Sequence, residues 1–245
     1  MHGATPALAG DFAHSDRLVV SLLNARSTAH ELLDAEHLDL LELRRNLREM
    51  AMLNRLPGGM GASVRAVERL LGEQTEATVL DVGTGSGDFV RRLRRRRHVE
   101  VIASDLRPEV LEIAARNLAG TNHVSLLKAD ARAIPLADGE VDIAHASLLM
   151  HHFDPDDAIA ALAEMRRVSR LGVVINDLRR GLLPFAMTAS AVLALTRGAY
   201  TRHDGVLSAR RAYTLAELDT LAAKAGLKRS SRSGRFWPRV TTVYR

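Results

Sequence analysis

The sequence predicts a doubly wound, mostly parallel α/β sheet carrying an N-terminal helical cap. Three observations point to that class. Short apolar runs with strand character recur along the chain, and several end in an acid. Helical patterns of about ten to fifteen residues lie between them. Three glycines, Gly83, Gly85 and Gly87, follow the first of these runs and lead directly into a helical stretch. Strands that alternate with helices form a parallel sheet with right-handed crossovers. The chain has 245 residues, 47% of them apolar, which suffices for one domain with an appendage.

The elements follow in order. The first fourteen residues show no period and are read as frayed or loosely docked. From Ser15 to about Leu53 the pattern is helical, and His30 and His37 within it are read as surface or interhelical residues. Asn54-Arg55-Leu56-Pro57-Gly58-Gly59 is the clearest break in the chain. Residues 1–56 are therefore expected to cap the pocket of a domain spanning 57–245. A helix over Gly61–Leu71 precedes the first strand, which ends at Asp81. The second strand, Val99–Ser104, ends at Asp105, and Pro108 opens a helix running to about Leu118. The third, Val124–Leu127, leads to Lys128-Ala129-Asp130-Ala131. The fourth, Val141–Ala146, reaches Ser147 and the pair His151-His152. Asp154-Pro155 starts a helix that ends near Val168, and the fifth strand, Gly172–Ile175, closes at Asn176-Asp177. The nearly all-apolar segment Gly181–Thr196 is too short to span a membrane, and reads as a buried helix or as an apolar wall for a substrate. Thr214 and Glu217 form a capping box for a helix that stops at Gly226. Two strands, about Leu227–Ser233 and Arg239–Tyr244, complete the chain.

The glycine turn carries the chemistry. Glycine permits positive φ and lets a ligand approach the backbone, while the helix behind it aims free N–H groups at the loop. A dinucleotide site calls for G-x-G-x-x-G, so that pyrophosphate sits on the helix N-terminus. Here the spacing is G-x-G-x-G, and an acid, Asp81, stands before it. A carboxylate there repels pyrophosphate but suits the ammonium group of a bound amino acid, which favours S-adenosylmethionine over NAD. Asp105 is placed to accept both ribose hydroxyls of an adenosine, with Leu106 packing on the adenine and Asp130 accepting from its amino group.

At this point the chain resembles the class I S-adenosylmethionine-dependent methyltransferases. The resemblance rests on Asp81-Val82-Gly83-Thr84-Gly85-Ser86-Gly87, Ser104-Asp105-Leu106, Lys128-Ala129-Asp130-Ala131 and the segment Ile134–Asp142, and it covers roughly Thr78–Asp177. It implies a seven-stranded Rossmann-like sheet completed by the C-terminal hairpin. It also implies cofactor contacts from Asp81, Gly83, Thr84, Gly85, Gly87, Asp105, Leu106, Asp130 and Ala131, with Ser147 near the methionine end. An insertion at about 178–213 is expected to shape the acceptor site, through His203, Arg210, Arg211 and Tyr213. The layout is similar to small-molecule methyltransferases of the ubiquinone and polyketide type.

Methyl transfer requires the acceptor atom to be held in line with the donor, and a neutral hydroxyl must also lose a proton. A phenol near ~10 needs a base, and a histidine near ~6.5 is suited to the task. His151 or His152 fills that role; as neighbours in sequence they are expected to point apart, with at most one facing the acceptor. The fourth strand does not end in an Asp/Asn-Pro-Pro-aromatic tetrapeptide, which lowers the case for N-methylation of a planar amine. It also lacks the carboxylate that catechol-type metal sites place there, so no essential metal is expected. The chain has no cysteine, which excludes disulfides, thiolate metal sites and cysteine-adduct methylation.

The formal charge is +5, and all but three of the basic residues are arginine. The run Arg91–Arg97 invites an RNA reading, but it falls on the helix behind the glycine loop, away from the substrate mouth. Aromatic residues are only 4% of the chain, so no platform for stacking bases is evident. The N-terminus shows no apolar signal-peptide core, and a cytoplasmic location is expected. The reading is therefore O-methylation of a phenolic or quinone-like hydroxyl on a small molecule. An RNA or protein methyltransferase and a non-catalytic cofactor-binding partner subunit are the alternatives.

Overall fold

A computed structural model describes residues 23–35, 38–234 and 237–245. The expectations for His37 and for the first fourteen residues fall outside the described residues. The sheet has seven strands: β1 (Thr78–Val82), β2 (Glu100–Asp105), β3 (Val124–Lys128), β4 (Val141–Ser147), β5 (Ser169–Leu178), β6 (Arg229–Ser233) and β7 (Arg239–Tyr244). Their order is β3-β2-β1-β4-β5-β7-β6, and only the two pairings made by β7 are antiparallel. The sequence of strands steps outward from β1 through β2 to β3, then reverses and restarts at β4. That reversal opens a crevice at the carboxyl ends of β1 and β4, where open α/β sheets bind ligands.

Side-chain alternation divides the core into two layers. Val79, Val101, Ile143, Val174 and Val243 face one side, under the helices Met60–Leu71 and Asp88–Arg94. Leu80, Ala144, Val173, Ile175 and Tyr244 face the other, under Pro155–Val168 and Leu215–Lys224. With Leu40–Leu53 as α1, these are α2, α3, α5 and α8; Pro108–Leu118 is α4, and the insertion supplies α6 (Leu182–Leu195) and α7 (Ala199–Arg211). The capping box at Thr214 is present, with Thr214 Oγ1 accepting from Glu217 N and Glu217 accepting from Thr214 N.

The structure departs from the sequence reading at the N-terminal segment. The helical pattern from Ser15 to Leu53 yields one long helix among the described residues, α1, capped by Asp39. Residues 25–31 have no regular structure, and Leu32–Asp34 make a single 3-10 turn. Tertiary bonds override local propensity here: the N–H groups of Leu32 and Leu33 donate to the two carboxylate oxygens of Asp204 on α7 (2.8 and 3.0 Å). Helix α7 itself was not read from the sequence. Its face combines Thr201, Asp204, Ser208 and Arg211, all buried, so no apolar period marks it. Together α1, the turn, α6 and α7 form a lid layer over the crevice. No helix among the described residues is long and apolar enough to cross a membrane.

Candidate active site

The glycine loop begins where β1 ends. Gly83, Gly85 and Gly87 all adopt positive φ (68°, 54° and 79°), which only glycine takes without strain. At Gly87, which caps α3, a Cβ would also come within 2.9 Å of Leu118. Asp81 lies under this loop, 2% exposed. Strand register explains its surroundings: Asp81 pairs with His145 across β1 and β4, so both side chains lie on the same face. His145 Nδ1 stands 2.7 Å from Asp81 Oδ1, and Thr84 Oγ1 donates to Asp81 Oδ2 at 2.7 Å. The His145 ring stacks on Phe89, with centroids 3.7 Å apart. Asp81 thus faces the cavity with each oxygen already bound once, a tie that the sequence reading did not contain.

At the end of β2, Asp105 accepts from the backbone N–H of Gly85 and of Arg107, each at 3.2 Å. These bonds are long, and the lone pairs that remain suit two vicinal hydroxyls. Burial pushes the Asp105 carboxyl above its usual range. Leu106 beside it is exposed at the mouth. Asp130 is clasped by Arg132, with Nε donating to Oδ1 and Nη2 to Oδ2 (3.0 and 2.7 Å), and that guanidinium holds its carboxyl below the usual range.

One cavity of about 530 Å³ joins these groups to the lid. Its walls include Asp81, Gly83, Thr84, Gly85, Asp105, Leu106, Asp130, Ala131, Ser147, His151 and His152, together with Leu43, Leu47 and Met50 of α1 and Val192 of α6. Gly87 lies outside the lining and serves the loop's geometry. Ser147 Oγ accepts from Arg239 Nη2 at 2.7 Å, so its oxygen is held by β7.

The histidine pair sits on a 3-10 turn, Met150–His152. Neighbouring residues of a strand point apart, but this turn brings both rings to the cavity wall, with centroids 4.4 Å apart. The expectation that they diverge does not hold, because the chain has already left the strand. His151 is buried and its Nδ1 is 2.6 Å from Asp177 Oδ1 at the end of β5. Burial raises the Asp177 carboxyl, but His151 and the N–H of Leu178 more than offset this and hold it below the usual range. An ionised carboxylate only accepts, so Nδ1 carries a proton, and Nε2 is the ring nitrogen left without a hydrogen bond among the described residues. His151 Nε2 lies 4.0 Å from Glu31 Oε1, and His152 Nδ1 lies 3.6 Å from Glu31 Oε2 and 3.3 Å from Asp34 Oδ1. Burial disfavours charge on His152, but the bond to Asp34 and the charges of Glu31, Asp34 and Asp177 prevail and raise its pKa. Asp34 is correspondingly low, at about 2: burial raises it, and the hydrogen bond and charge of His152 outweigh that.

None of His203, Arg210, Arg211 and Tyr213 appears in the cavity wall. Arg211 lies behind it, donating to the carbonyls of His151, His152 and Ala29 and to Asp34 Oδ2. Tyr213 donates to the Phe153 carbonyl at 2.8 Å. His203 Nδ1 is bonded to Asp204, and the Arg210 carbonyl accepts from Ser27 N. These residues fix the turn and the lid. Sequence reading missed Glu31, Asp34 and Arg26, which lie in a segment without a motif; the one available signal was their acid and base character beside His30. In the arginine run, Arg91 pairs with Asp88 and Arg96 with Glu68, while Arg94 and Arg97 donate to nearby carbonyls.

Comparison with known proteins places this geometry among relatives. Residues 79–172 match the family model described as a methyltransferase domain. A malonyl-[acyl-carrier protein] O-methyltransferase from Serratia marcescens is 32% identical over 159 residues, covering 64% of this chain and 57% of that protein. A demethylmenaquinone methyltransferase from Deinococcus radiodurans is 34% identical over 128 residues, covering 51% of this chain and 50% of that protein. The chain thus spans about half the length of the curated relatives it matches. The crystal structure of a SAM-dependent methyltransferase from Aquifex aeolicus superposes with a TM-score of 0.60 at 19% identity, covering 85% of this chain and 98% of that one.

Proposed function

We propose that this chain is a class I S-adenosylmethionine-dependent methyltransferase and that it methylates a hydroxyl of a small phenolic or quinone-like molecule, with His151 as the base. S-adenosylmethionine, the cofactor of this family, supplies a methyl group activated by a positively charged sulfur. The donor set fits that molecule. Asp105, with unused lone pairs beside the glycine loop, would take the ribose hydroxyls; Asp81 would face the ammonium group, and Leu106, Asp130 and Ala131 would border the adenine. Gly83, Thr84, Gly85 and Ser147 would line the path between them, and Gly87 would hold the loop in shape.

The observation that carries the reaction is the orientation of His151. Asp177 fixes the proton on Nδ1, so Nε2 is the atom that takes the acceptor's proton. Arg211 and Arg26 hold the turn by its carbonyls, which keeps that nitrogen aimed at the cavity. Leu43, Leu47, Met50 and Val192 exclude water and give an apolar acceptor a surface to pack on. The malonyl-carrier and demethylmenaquinone enzymes among the relatives support a small-molecule acceptor. In this reading His203, Arg210, Arg211 and Tyr213 shape the acceptor site from behind and do not touch it.

The test is incubation with isotopically labelled S-adenosylmethionine and a panel of phenols, hydroquinones, carboxylic acids, amines and total RNA, read by mass spectrometry. Labelled ether products support the reading. Transfer to carboxylate or nitrogen alone replaces it, and transfer to RNA in the same assay rejects it.

A further inference from the structure

We propose that Glu31, His151 and His152 bind a divalent cation of the zinc class, and that this cation competes with proton removal at His151. A carboxylate oxygen and one nitrogen from each histidine lie within 4.8 Å of one another. Ligand atoms on a tetrahedral zinc ion, bonded at about 2.0–2.1 Å, are about 3.4 Å apart. The separations are 3.6 Å from Glu31 Oε2 to His152 Nδ1 and 4.0 Å from Glu31 Oε1 to His151 Nε2, so a rotation of the Glu31 carboxylate together with a contraction brings one oxygen to that value from both nitrogens. The donor set of two imidazoles and a carboxylate suits zinc, cobalt or nickel rather than magnesium, which takes oxygen ligands.

Three features separate this cluster from an ordinary buried ion pair. His151 Nε2 makes no hydrogen bond among the described residues, although its ring is buried; its charged neighbour Glu31 is too far for a bond but suitably placed to share an ion. The outer partners are those that orient metal ligands: Asp177 holds His151 Nδ1 at 2.6 Å, and Ser208 Oγ donates to Glu31 Oε1 at 2.9 Å. Charge also favours a cation. Glu31, Asp34 and Asp177 bring three carboxylates together. Arg211 contacts Asp34 at 3.1 Å and stands 3.9 Å from Glu31, while Arg239 acts on Asp177 from farther away. Asp34, 3.3 Å from His152 Nδ1, is within reach as a fourth ligand.

The site itself depends only on these side chains. The competition rests on the reading of His151 as the base, because a metal on Nε2 occupies the lone pair that would take the proton. Both are tested on the full chain, stripped of metal. Titration with cobalt(II) is expected to give visible ligand-field absorption at one ion per chain. Glu31→Gln and, independently, His152→Gln should weaken cobalt binding at least tenfold, with circular dichroism verifying that each is folded. Absence of the absorption in the wild type, or equal binding by folded variants, overturns the site. In the methyl-transfer assay one equivalent of zinc should lower the rate at least tenfold, and a chelator should restore it while cofactor affinity stays constant. An unchanged or higher rate with zinc bound overturns the competition. Cobalt binding is read without turnover, so failure of the methyl-transfer reading leaves a distinct signature: full absorption with no product from the metal-free chain.

Discussion

The two halves of the cavity are built in different ways. The cofactor half is local: Asp81, Asp105 and Asp130 end or follow three adjacent strands, and the glycine loop lies within six residues of the first. Its register alone sets Asp81 against His145. The acceptor half is assembled from distant segments. Glu31 and Asp34 come from the N-terminal segment, His151 and His152 from the turn after β4, Asp177 from β5, and Ser208 and Arg211 from α7. The bond from Arg211 to Ala29 spans 182 residues of sequence. A local half is fixed once its strands pair, whereas a non-local half depends on each tie that draws its segments together. Damage to the second should therefore leave the first intact.

Arg211 offers the strongest way to break that division. It is buried and donates to three carbonyls and one carboxylate, so Arg211→Met leaves several acceptors without a partner. The expected loss of stability is about 3–4 kcal/mol, measured by urea unfolding. Where the variant remains folded, its affinity for S-adenosylmethionine should stay within about twofold of wild type while turnover falls. A parallel loss of cofactor affinity would show that the two halves are one cooperative unit.

His151→Ala should lower kcat about a hundredfold, equivalent to about 2.7 kcal/mol, without changing cofactor affinity by calorimetry. His152→Ala, the neighbour held by Asp34, should cost less. Equal rates for wild type and His151→Ala remove the base from the mechanism. The converse substitution, Asp105→Ala, should weaken cofactor binding by about 1–3 kcal/mol; it also frees the N–H groups of Gly85 and Arg107, so circular dichroism accompanies the calorimetry to verify the fold. Unchanged affinity would remove the ribose assignment.

The same contrast explains how much the sequence disclosed. The sheet, the acids at Asp81, Asp105 and Asp130, and the glycine turn are legible because each is a short motif placed by the periodicity around it. Ser147 and the histidine pair are legible by position, as they follow β4. What the sequence did not disclose depends on contacts between segments. Glu31 and Asp34 carry no motif, and the stretch around them departs from its helical pattern because Asp204 binds its backbone. Helix α7 was invisible because it buries polar side chains. Arg211 and Tyr213 were sought as acceptor contacts, yet they secure the carbonyls of the 151–153 turn from behind. A residue in an insertion that shapes a pocket need not face it.

Asp204 provides a milder probe. Its carboxylate accepts from Leu32 and Leu33 N–H and from nothing else in the 23–35 segment, much as an N-cap residue serves a helix. Asp204→Ala should cost about 0.5–2 kcal/mol and release the turn that carries Glu31 and Asp34. Hydrogen exchange at Leu32 and Leu33 should accelerate, KM for the acceptor should rise, and exchange in β1 should stay unchanged. Faster exchange throughout β1 would mean that the lid and the sheet open together.

The smallest expected effect is that of a chelator on the metal-free mechanism. A magnesium-assisted transfer would need oxygen ligands free at the ends of β4 and β5. Those ends are engaged by other partners: Ser147 accepts from Arg239, Asn176 donates to the carbonyls of Gly58 and Gly59 and to Ser63, and Asp177 is bound to His151. On the proposed reading His151, oriented by Asp177, is the base, and proton removal then requires no Lewis acid. EDTA should therefore leave the rate unchanged, or raise it where a zinc-class ion had occupied Glu31, His151 and His152; added magnesium should have no effect. A rate that falls with EDTA and recovers with magnesium would show that the acceptor half works through a bound metal, and that Asp177 serves the ion rather than the histidine.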